Sequence, residues 1–205
     1  PKDLYETYLP AFKSLVGARV QGVMCAYNRT NDLPCCGSQP LFVNILRQDW
    51  NFQGYIVSDC WALNDIHDQH NFTQTPEESA VLAIKNTVNL NCGSTYPYLV
   101  RAVKQNLVEE ATIDSALKPL LEIRFKLDPF DPPQMNPYTS ICPDVINSQK
   151  HRDLAREAAQ KSIVLLKNDH HVLPLDKNLD MIYITGPNAT DQQLVFYPLC
   201  HFQKD

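Results

Sequence analysis

The sequence has 205 residues, of which 44% are hydrophobic and 20% are charged, an ordinary composition for a globular protein. Its formal net charge is −5 and it has no long basic run, which argues against sequence-independent nucleic-acid binding. No apolar stretch is long enough to span a bilayer, so we expect neither nucleic acid nor a membrane among its partners.

The N-terminal quarter predicts helices that alternate with turns and a strand. Apolar residues spaced three and four apart predict a helix over 4–16, which Pro10 should kink or restart. A buried strand is expected over 21–27, followed by a loop over 28–40 that is rich in turn residues. A second helix is expected over 41–49.

The stretch 54–61, Gly-Tyr-Ile-Val-Ser-Asp-Cys-Trp, carries the candidate reactive residue. A short apolar run after a glycine predicts a strand over 55–59 that is buried on both faces, as in a parallel sheet. Ligands of such sheets collect at the carboxyl ends of the strands, where Asp59 lies. An aspartate there can also merely cap a helix. An aspartyl-phosphate enzyme is a weaker alternative, because Trp61 stands where it would need a second acid.

The next helix has the clearest start signal in the sequence. Thr75 suits the N-cap, Pro76 the first helical position, and Glu78 completes a capping box. A short strand over 89–92 follows, so this region predicts a βαβ unit with parallel strands.

Two more helices precede a proline-rich segment. They are expected over 98–107 and over 112–127, the second capped by Thr112 and kinked by Pro119. The prolines after them indicate a linker, which we place at 128–147.

A second domain is predicted over 148–205, after a first domain over 1–127. Ser148 should cap a helix that runs to about Lys161, and apolar runs at 163–166 and 181–185 predict strands.

Cysteines and glycosylation sequons together favour an oxidising compartment. Sequons begin at Asn28, Asn71 and Asn188. No Cys-x-x-Cys pair supports a zinc site, although the chain has seven cysteines: Cys25, Cys35, Cys36, Cys60, Cys92, Cys142 and Cys200. We therefore expect a secreted protein or one of the secretory pathway, with any leader peptide outside this sequence.

A metal site is not expected. His67 and His70 are three residues apart without a third ligand, which is typical of a solvated loop. No other feature predicts a cofactor.

Five motifs occur in order along the chain: Asp3-Leu-Tyr-Glu-Thr-Tyr-Leu-Pro-Ala-Phe-Lys, Val23-Met-Cys-Ala-Tyr-Asn, Gly54-Tyr-Ile-Val-Ser-Asp-Cys, Val88-Asn-Leu-Asn-Cys-Gly and Ala155-Arg-Glu-Ala-Ala-Gln-Lys-Ser-Ile-Val-Leu-Leu-Lys-Asn. Together they resemble glycoside hydrolase family 3, and its plant and fungal β-xylosidase branch in particular. The resemblance implies an α/β fold: the C-terminal part of a (β/α)8-type barrel, a linker, and the start of an α/β sandwich. We therefore expect an incomplete piece, without the early barrel and most of the second domain.

The resemblance also implies roles for individual residues. Retaining glycosidases use two carboxyl groups about 5 Å apart, a nucleophile and an acid/base. Asp59 corresponds to the family's nucleophile, Tyr27 to a tyrosine of the glycone pocket, and Met24 to a pocket wall. The acid/base comes from the later second domain and is assigned to no residue here. Asp32 stands where the family has a glycine, so the adjacent loop is expected to be shifted.

Two disulfides are expected near this pocket. Cys60 and Cys92 follow strands that should be neighbours, and neighbouring strands are close enough for a bridge. Such a disulfide at the pocket floor would crowd the hydroxymethyl group of glucose and favour a pentose. Cys25 could pair with Cys35 or with Cys36. Trp61 could stack on a sugar or support the barrel rim, and the sequence does not decide between these roles.

Two functions are therefore open. The first is an exo-β-glycosidase that removes terminal β-D-xylosyl residues from xylo-oligosaccharides, with β-glucosidase or α-L-arabinofuranosidase activity as alternatives. The second is a non-catalytic truncated product or partial gene model. As an isolated half-barrel, the chain is expected to be inactive and to leave Val23, Ile56 and Leu90 facing strands that it does not supply.

Overall fold

A computed structural model describes residues 2–127, 130–186 and 189 of the protein. The chain divides into two compact units, Pro1–Ser140 and Ile141–Asp205. The predicted linker, 128–147, contains two short 3₁₀ turns, Pro133–Met135 and Pro143–Val145, among its described residues. Within the described ranges, no helix combines the length and the apolar character needed to cross a membrane.

The first unit is built from short strands and longer helices. Its described strands are β1 (Gly22–Cys25), β2 (Arg29–Thr30), β3 (Leu33–Pro34) and β4 (Tyr55–Ser58). Its described α-helices are α1 (Leu9–Gly17), α2 (Ala62–Asp68), α3 (Pro76–Lys85), α4 (Leu99–Lys104) and α5 (Glu110–Lys126). The first unit also contains two π-helical segments, Leu4–Tyr8 and Pro40–Asp49, and 3₁₀ turns at Cys35–Gly37 and Tyr96–Tyr98.

Strands β1 and β4 pair in parallel, with Val23 opposite Ile56 and Met24 opposite Val57. The expected third strand, 89–92, is reduced to a single parallel bridge between Val57 and Leu90. The ladder is short because the Ile56 N–H donates to the Asn89 side-chain oxygen at 2.7 Å instead of to a backbone carbonyl.

Strand β4 is buried on one face, which corrects the prediction of burial on both. Ile56 and Ser58 are buried, whereas Tyr55 and Val57 are half-buried. Ile56 is 0% exposed and does not face a gap, because it points towards α2 and α3. Leu90 is exposed as expected.

The predicted loop over 28–40 contains a hairpin, which the sequence did not predict. Strands β2 and β3 pair antiparallel, with Thr30 opposite Leu33. Asn31 and Asp32 have φ angles of 50° and 66°, the left-handed conformation that a two-residue hairpin turn of type I′ requires. Aspartate thus adopts at 32 the conformation for which glycine is the easier choice.

The N-terminal helix restarts near Pro10, as predicted. The π-helical turn ends at Tyr8, and α1 begins at Leu9 with Pro10 in its first turn, where its missing N–H costs no hydrogen bond. Tyr8, Phe12 and Leu15, which the spacing predicts to face a core, are exposed.

Helix α3 begins with the predicted capping box. The Glu78 N–H donates to Thr75 Oγ1, and the Thr75 N–H donates to the Glu78 carboxylate. Helix α4 is shorter than the predicted 98–107 span. Helix α5 starts at Glu110 and not at a Thr112 cap, because the backbone is already extended at Glu109.

Helix α5 runs to Lys126 as one element that contains Pro119. Arg101 on α4 pairs with Glu77 on α3 at 2.9 Å. The apolar contacts around these helices form one of the two clusters of buried side chains found among the described residues: Ala80, Ile84, Leu99, Ala102, Val108 and Ala116.

The other buried cluster lies under β1 and β4 and supports the end of the strands. Its members are Cys25, Cys36, Phe42, Leu46, Phe52, Ile56, Ala62, Leu63, Ile66, Ala83 and Val88. Burying a side chain of the size of Ile56 stabilises the fold by about 2 kcal/mol. This cluster fixes where β4 ends, and hence where Asp59 lies.

The second unit contains helix α6 (Gln149–Ser162) and a 3₁₀ turn at Asp169–His171 among its described residues. Ser148 is the N-cap residue of α6, but its hydroxyl makes no capping hydrogen bond. The strands predicted over 163–166 and 181–185 are not formed, because no described backbone pairs with these runs, whose side chains are exposed. An apolar run becomes a strand only where a neighbour supplies hydrogen bonds.

Candidate active site

Asp59 lies immediately beyond the carboxyl end of β4. Its N–H donates to the Cys25 carbonyl at 3.0 Å, which continues the β1–β4 ladder by one residue. Its Oδ1 accepts from the Cys60 N–H at 2.7 Å. These two bonds anchor the backbone of Asp59 to the end of a rigid strand and orient its half-buried carboxylate.

The simpler reading of Asp59, as a helix cap, is not supported by the hydrogen bonds. Helix α2 begins at Ala62, and its N-cap residue is Trp61, without a side-chain capping bond. The Asp59 carboxylate instead bonds to Cys60, which precedes the helix.

Cys60 and Cys92 form a disulfide beside Asp59, as the strand positions predict. Their Cα atoms are 4.3 Å apart and 32 residues separate them in sequence. A cross-link over that many residues stabilises a fold by about 3–4 kcal/mol in the chain-entropy description. The disulfide therefore holds the segment after β4 against the segment after Leu90.

Trp61 takes a backbone conformation that is rare for a bulky residue, with φ of 71°. Its N–H donates to the Cys92 carbonyl at 2.7 Å, and its side chain is 54% exposed. Gly93, with φ of 141°, lies so close that a Cβ there would approach the Trp61 backbone nitrogen to 3.3 Å. The disulfide and these contacts together fix the backbone from which the exposed indole extends.

Met24 lies on β1, and Tyr27 lies two residues after its end. The Tyr27 hydroxyl donates to the Cys60 carbonyl at 2.6 Å, which brings the ring next to the residue that follows Asp59. Met24 faces Val57 across the β1–β4 pair and is 58% exposed. The structure therefore gathers Asp59, Cys60 and Tyr27 into one site, with Met24 on the neighbouring strand.

Ser58 is a residue of the site that was not predicted from the sequence. It is buried, and its Oγ accepts from the Cys92 N–H at 2.9 Å and from Asn91 Nδ2 at 3.2 Å. The Asn91 Oδ1 in turn accepts from the Thr95 N–H at 3.0 Å. A hydroxyl at the end of an apolar run, directly before the aspartate, was the available sequence signal.

Arg47 and Asn89 form a second support under β4. Arg47 donates to the carbonyls of Phe52 and Gly54 at 2.8 and 2.7 Å and to Asn89 Oδ1 at 3.1 Å. Asn89 Nδ2 donates to the Ala116 carbonyl at 2.8 Å. Burial lowers the pKa of the Arg47 guanidinium below its usual value, although an arginine remains charged. This network fixes the start of β4.

The second disulfide joins Cys25 to Cys36, so the alternative pairing with Cys35 is wrong. Cys25 and Cys36 are both buried, whereas Cys35 is half-buried and its Sγ accepts from the Ala26 N–H at 3.5 Å. Burial raises the pKa of the Cys35 thiol, which keeps it protonated and slow to react. Among the described residues, Cys142 is also a free thiol.

His67 and His70 are engaged by protein groups and are not both in a solvated loop. His67 lies within α2, its side chain is 12% exposed, and its Nδ1 contacts Ser79 Oγ at 2.9 Å. His70 Nε2 contacts the Tyr27 carbonyl at 2.8 Å. In the part of the chain that the structure describes, no cluster of three potential metal ligands is present.

The sequons fall in different surroundings. Asn71 is exposed in the loop after α2. Asn28 is exposed, and its Nδ2 donates to the Arg29 carbonyl at 3.0 Å. Asn188 lies outside the described residues.

Comparison with known sequences decides the family. The glycosyl hydrolase family 3 N terminal domain matches residues 1–123, which is more than half of the chain. The chain belongs to glycosyl hydrolase family 3. This membership agrees with the order of the five sequence motifs.

Two curated relatives are β-xylosidases by name. The chain is 38% identical over 198 residues to a xylan 1,4-beta-xylosidase of Xylanibacter ruminicola, a match that covers 95% of this chain and 23% of the relative. It is 42% identical over 198 residues to a probable exo-1,4-beta-xylosidase of Aspergillus fumigatus, covering 93% of this chain and 25% of the relative. The chain thus spans about a quarter of the length of these relatives.

Solved structures of glycosidases have a similar fold over most of the chain. A GH3 exo-beta-xylosidase in complex with a xylobiose aziridine activity-based probe is 31% identical, with a TM-score of 0.68 over 86% of this chain and 23% of that one. A beta-glucosidase of Listeria innocua in complex with glucose is 28% identical, with a TM-score of 0.67 over 84% and 24% of the two chains. The structure is therefore that of a helix-rich α/β domain of the barrel type.

Proposed function

We propose that this chain carries the nucleophile of a retaining exo-β-glycosidase, whose preferred substrate is a terminal β-D-xylosyl residue of a xylo-oligosaccharide. The observation that carries the proposal is the position of Asp59, held at the carboxyl end of β4 by the Cys25 carbonyl and the Cys60 N–H. Active sites of barrel enzymes lie at the carboxyl ends of their strands.

In the proposed reaction, the Asp59 carboxylate attacks the anomeric carbon while the bond to the leaving-group oxygen breaks. An acid/base group protonates that oxygen and then activates the water that releases the sugar from Asp59. We assign the acid/base to no residue of this sequence. The activity is accordingly proposed for the protein expressed from its full coding sequence, and the 205 residues alone are expected to be inactive.

The domain organisation belongs to the same proposal. Residues 1–127 would form the C-terminal part of the barrel, 128–147 the linker, and 148–205 the start of an α/β sandwich. The apolar runs at 163–166 and 181–184 are exposed, which favours their assignment to strands of the sandwich, since each would become buried in a larger sheet. The cysteine pairs and the exposed Asn71 and Asn28 favour a secreted glycoprotein.

The proposed nucleophile is tested by covalent labelling. A 2-fluoro-β-xyloside with a good leaving group should modify the protein expressed from its full coding sequence once per active site, because the fluorine slows release of the sugar. Peptide mapping by mass spectrometry should place the label on Asp59. A label on another carboxylate, or hydrolysis of an aryl β-xyloside without any label, would contradict the assignment.

The Cys60–Cys92 disulfide is proposed to set the preference for a pentose. Replacing both cysteines by alanine should raise the kcat/KM for an aryl β-glucoside relative to the β-xyloside by about tenfold, as expected when space for one more carbon is opened in a pocket. The physical reason is that two alanines leave room for the hydroxymethyl group that the sulfur atoms exclude.

The matched control is the double alanine variant of Cys25 and Cys36, which removes the other disulfide. It should leave the glucoside-to-xyloside ratio unchanged. An unchanged ratio in the Cys60/Cys92 variant would show that the disulfide does not select the sugar. A wild-type preference for glucosides would favour the alternative of a β-glucosidase, which the likeness to the Listeria innocua structure supports.

A further inference from the structure

Tyr27 is held at both its side chain and its backbone. Its hydroxyl donates to the Cys60 carbonyl at 2.6 Å. Its own carbonyl contacts His70 Nε2 at 2.8 Å. His70 lies just after α2, so this contact joins the loop that follows β1 to the loop that follows the helix beyond Asp59.

The contacts of His70 determine the tautomer of its ring. A backbone carbonyl can only accept, so Nε2 must carry the proton and donate to Tyr27. Arg29 Nε donates to His70 Nδ1 at 3.3 Å, and an arginine side chain has no acceptor. Nδ1 must therefore offer its lone pair, and both contacts require the neutral Nε2–H form.

Arg29 also fixes the backbone beside the ring. Its guanidinium donates to the His70 carbonyl as well as to Nδ1. Arg29 is the first residue of β2. Its bonds therefore join the hairpin to the loop after α2, on the side of the imidazole opposite the nitrogen that contacts Tyr27.

We propose that His70 is a positioning residue for Tyr27. This role rests on the proposed function, because it matters to the reaction only if Asp59 is the nucleophile. His70 in its Nε2–H form fixes the Tyr27 carbonyl, and the Tyr27 ring then reaches the carbonyl of Cys60, directly after Asp59. Without His70, the Tyr27 carbonyl loses this donor, and the ring, although still bonded to the Cys60 carbonyl, is held less firmly at the proposed sugar pocket.

The contacts of His67 differ from those of His70, which is why we assign the positioning role to His70. Although His67 is more buried, its Nδ1 contacts Ser79 on α3, so it joins two helices. His70 is the histidine that contacts a residue of the proposed sugar pocket.

Two substitutions of His70 distinguish a positioning role from one in which the ring only fills space. The side-chain nitrogen of glutamine reaches about as far as Nε2, so His70→Gln keeps the donor to Tyr27. Asparagine is too short to reach it, so His70→Asn removes the donor but remains polar. In the protein expressed from its full coding sequence, His70→Asn should lower kcat/KM for an aryl β-xyloside by about tenfold, and His70→Gln by no more than about threefold.

Rates are normalised to sites titrated with the 2-fluoro-xyloside, so that loss of folded protein does not count as loss of catalysis. The control is His151→Asn, a replacement of an exposed histidine on α6, which should leave kcat/KM unchanged. Nitrogen NMR of ring-labelled histidines in the same protein should show one ring, absent from the His70→Gln spectrum, as the neutral Nε2–H tautomer.

Equal losses in the glutamine and asparagine variants, or a His70 ring protonated at Nδ1 in its neutral form, would overturn the positioning role. Either result leaves the proposed function intact if the wild type hydrolyses β-xylosides. A wild type that turns over neither β-xylosides nor β-glucosides instead overturns the proposed function, and the role of His70 in the reaction with it.

Discussion

Replacing Asp59 by asparagine should lower kcat/KM for an aryl β-xyloside by roughly four orders of magnitude or more, the scale of losing a residue that forms the covalent intermediate. Asparagine keeps the size of the side chain and an oxygen that can accept from the Cys60 N–H, so the local fold should survive. It loses the negative charge needed to attack the anomeric carbon. The measurement is the initial rate of release of the aryl group by the protein expressed from its full coding sequence.

The control for this variant is Asp68→Asn, because Asp68 is an exposed carboxylate at the end of α2. Its kcat/KM should stay within about twofold of the wild type, as expected for a surface substitution away from the site.

A third variant, Asp59→Gly, tests the nucleophile directly. Added azide should restore turnover of a substrate with a good leaving group, because azide can enter the space and attack the anomeric carbon from the same face. The product would be a glycosyl azide of inverted configuration. An Asp59→Asn enzyme with near wild-type rates would refute the assignment of the nucleophile.

Replacing Gly54 by alanine should destabilise the first unit by about 3 kcal/mol or more, at the upper end for overpacking a well-packed region. A Cβ on Gly54 would lie 2.1 Å from the Gln21 carbonyl oxygen, a backbone atom that cannot move without displacing β1. The Gly54 carbonyl also accepts from Arg47, which ties the residue in place from the other side. The clash therefore separates the two strands that hold Asp59.

Tryptophan fluorescence during urea unfolding of the 205-residue chain measures this effect in the first unit, because the two tryptophans of this sequence, Trp50 and Trp61, belong to it. The matched control is Gly17→Ala at the end of α1, where a Cβ meets nothing within 4 Å. That change should be neutral or stabilising by about 0.5 kcal/mol, because alanine favours the helix. Equal stability of the two variants would show that the approach of Gly54 to Gln21 relaxes at little cost.

Local sequence signals predicted the elements whose formation depends on neighbouring residues alone. The capping box of Thr75 and Glu78 marked the start of α3, and Pro10 marked the restart of the N-terminal helix. Both signals act within one helical turn, so they need no distant partner to operate. Thr112 failed as a start signal because α5 begins two residues earlier, after extended backbone at Glu109.

Strands were predicted less well, because a strand depends on what lies beside it. The expected strand over 89–92 is a single bridge, since the Asn89 side chain takes a hydrogen bond of the ladder. The runs at 163–166 and 181–185 have strand-like composition but no described partner. Hydrophobic pattern alone cannot report the presence of a neighbour.

Some features of the candidate site were likewise predictable from local sequence, whereas others depended on packing. Residue types and their order along the chain were sufficient to select Asp59, Tyr27 and the Cys60–Cys92 pair, because each belongs to a motif or follows a predicted strand. Pairing of Cys25 was left open, since Cys35 and Cys36 are adjacent in sequence and only the packing of Cys36 into the core selects it.

The sequence by itself determined the family, the candidate nucleophile and the strand on which it lies, because these follow from local order and short-range chemistry. Only the tertiary structure showed how Asp59 is held: Ser58 bonded to the segment at Cys92, Arg47 and Asn89 under β4, and His70 on Tyr27. Those contacts join residues more than 30 positions apart. Their physical basis is the meeting of polar groups from separate elements at the two ends of a parallel strand pair, which no spacing along the chain reveals.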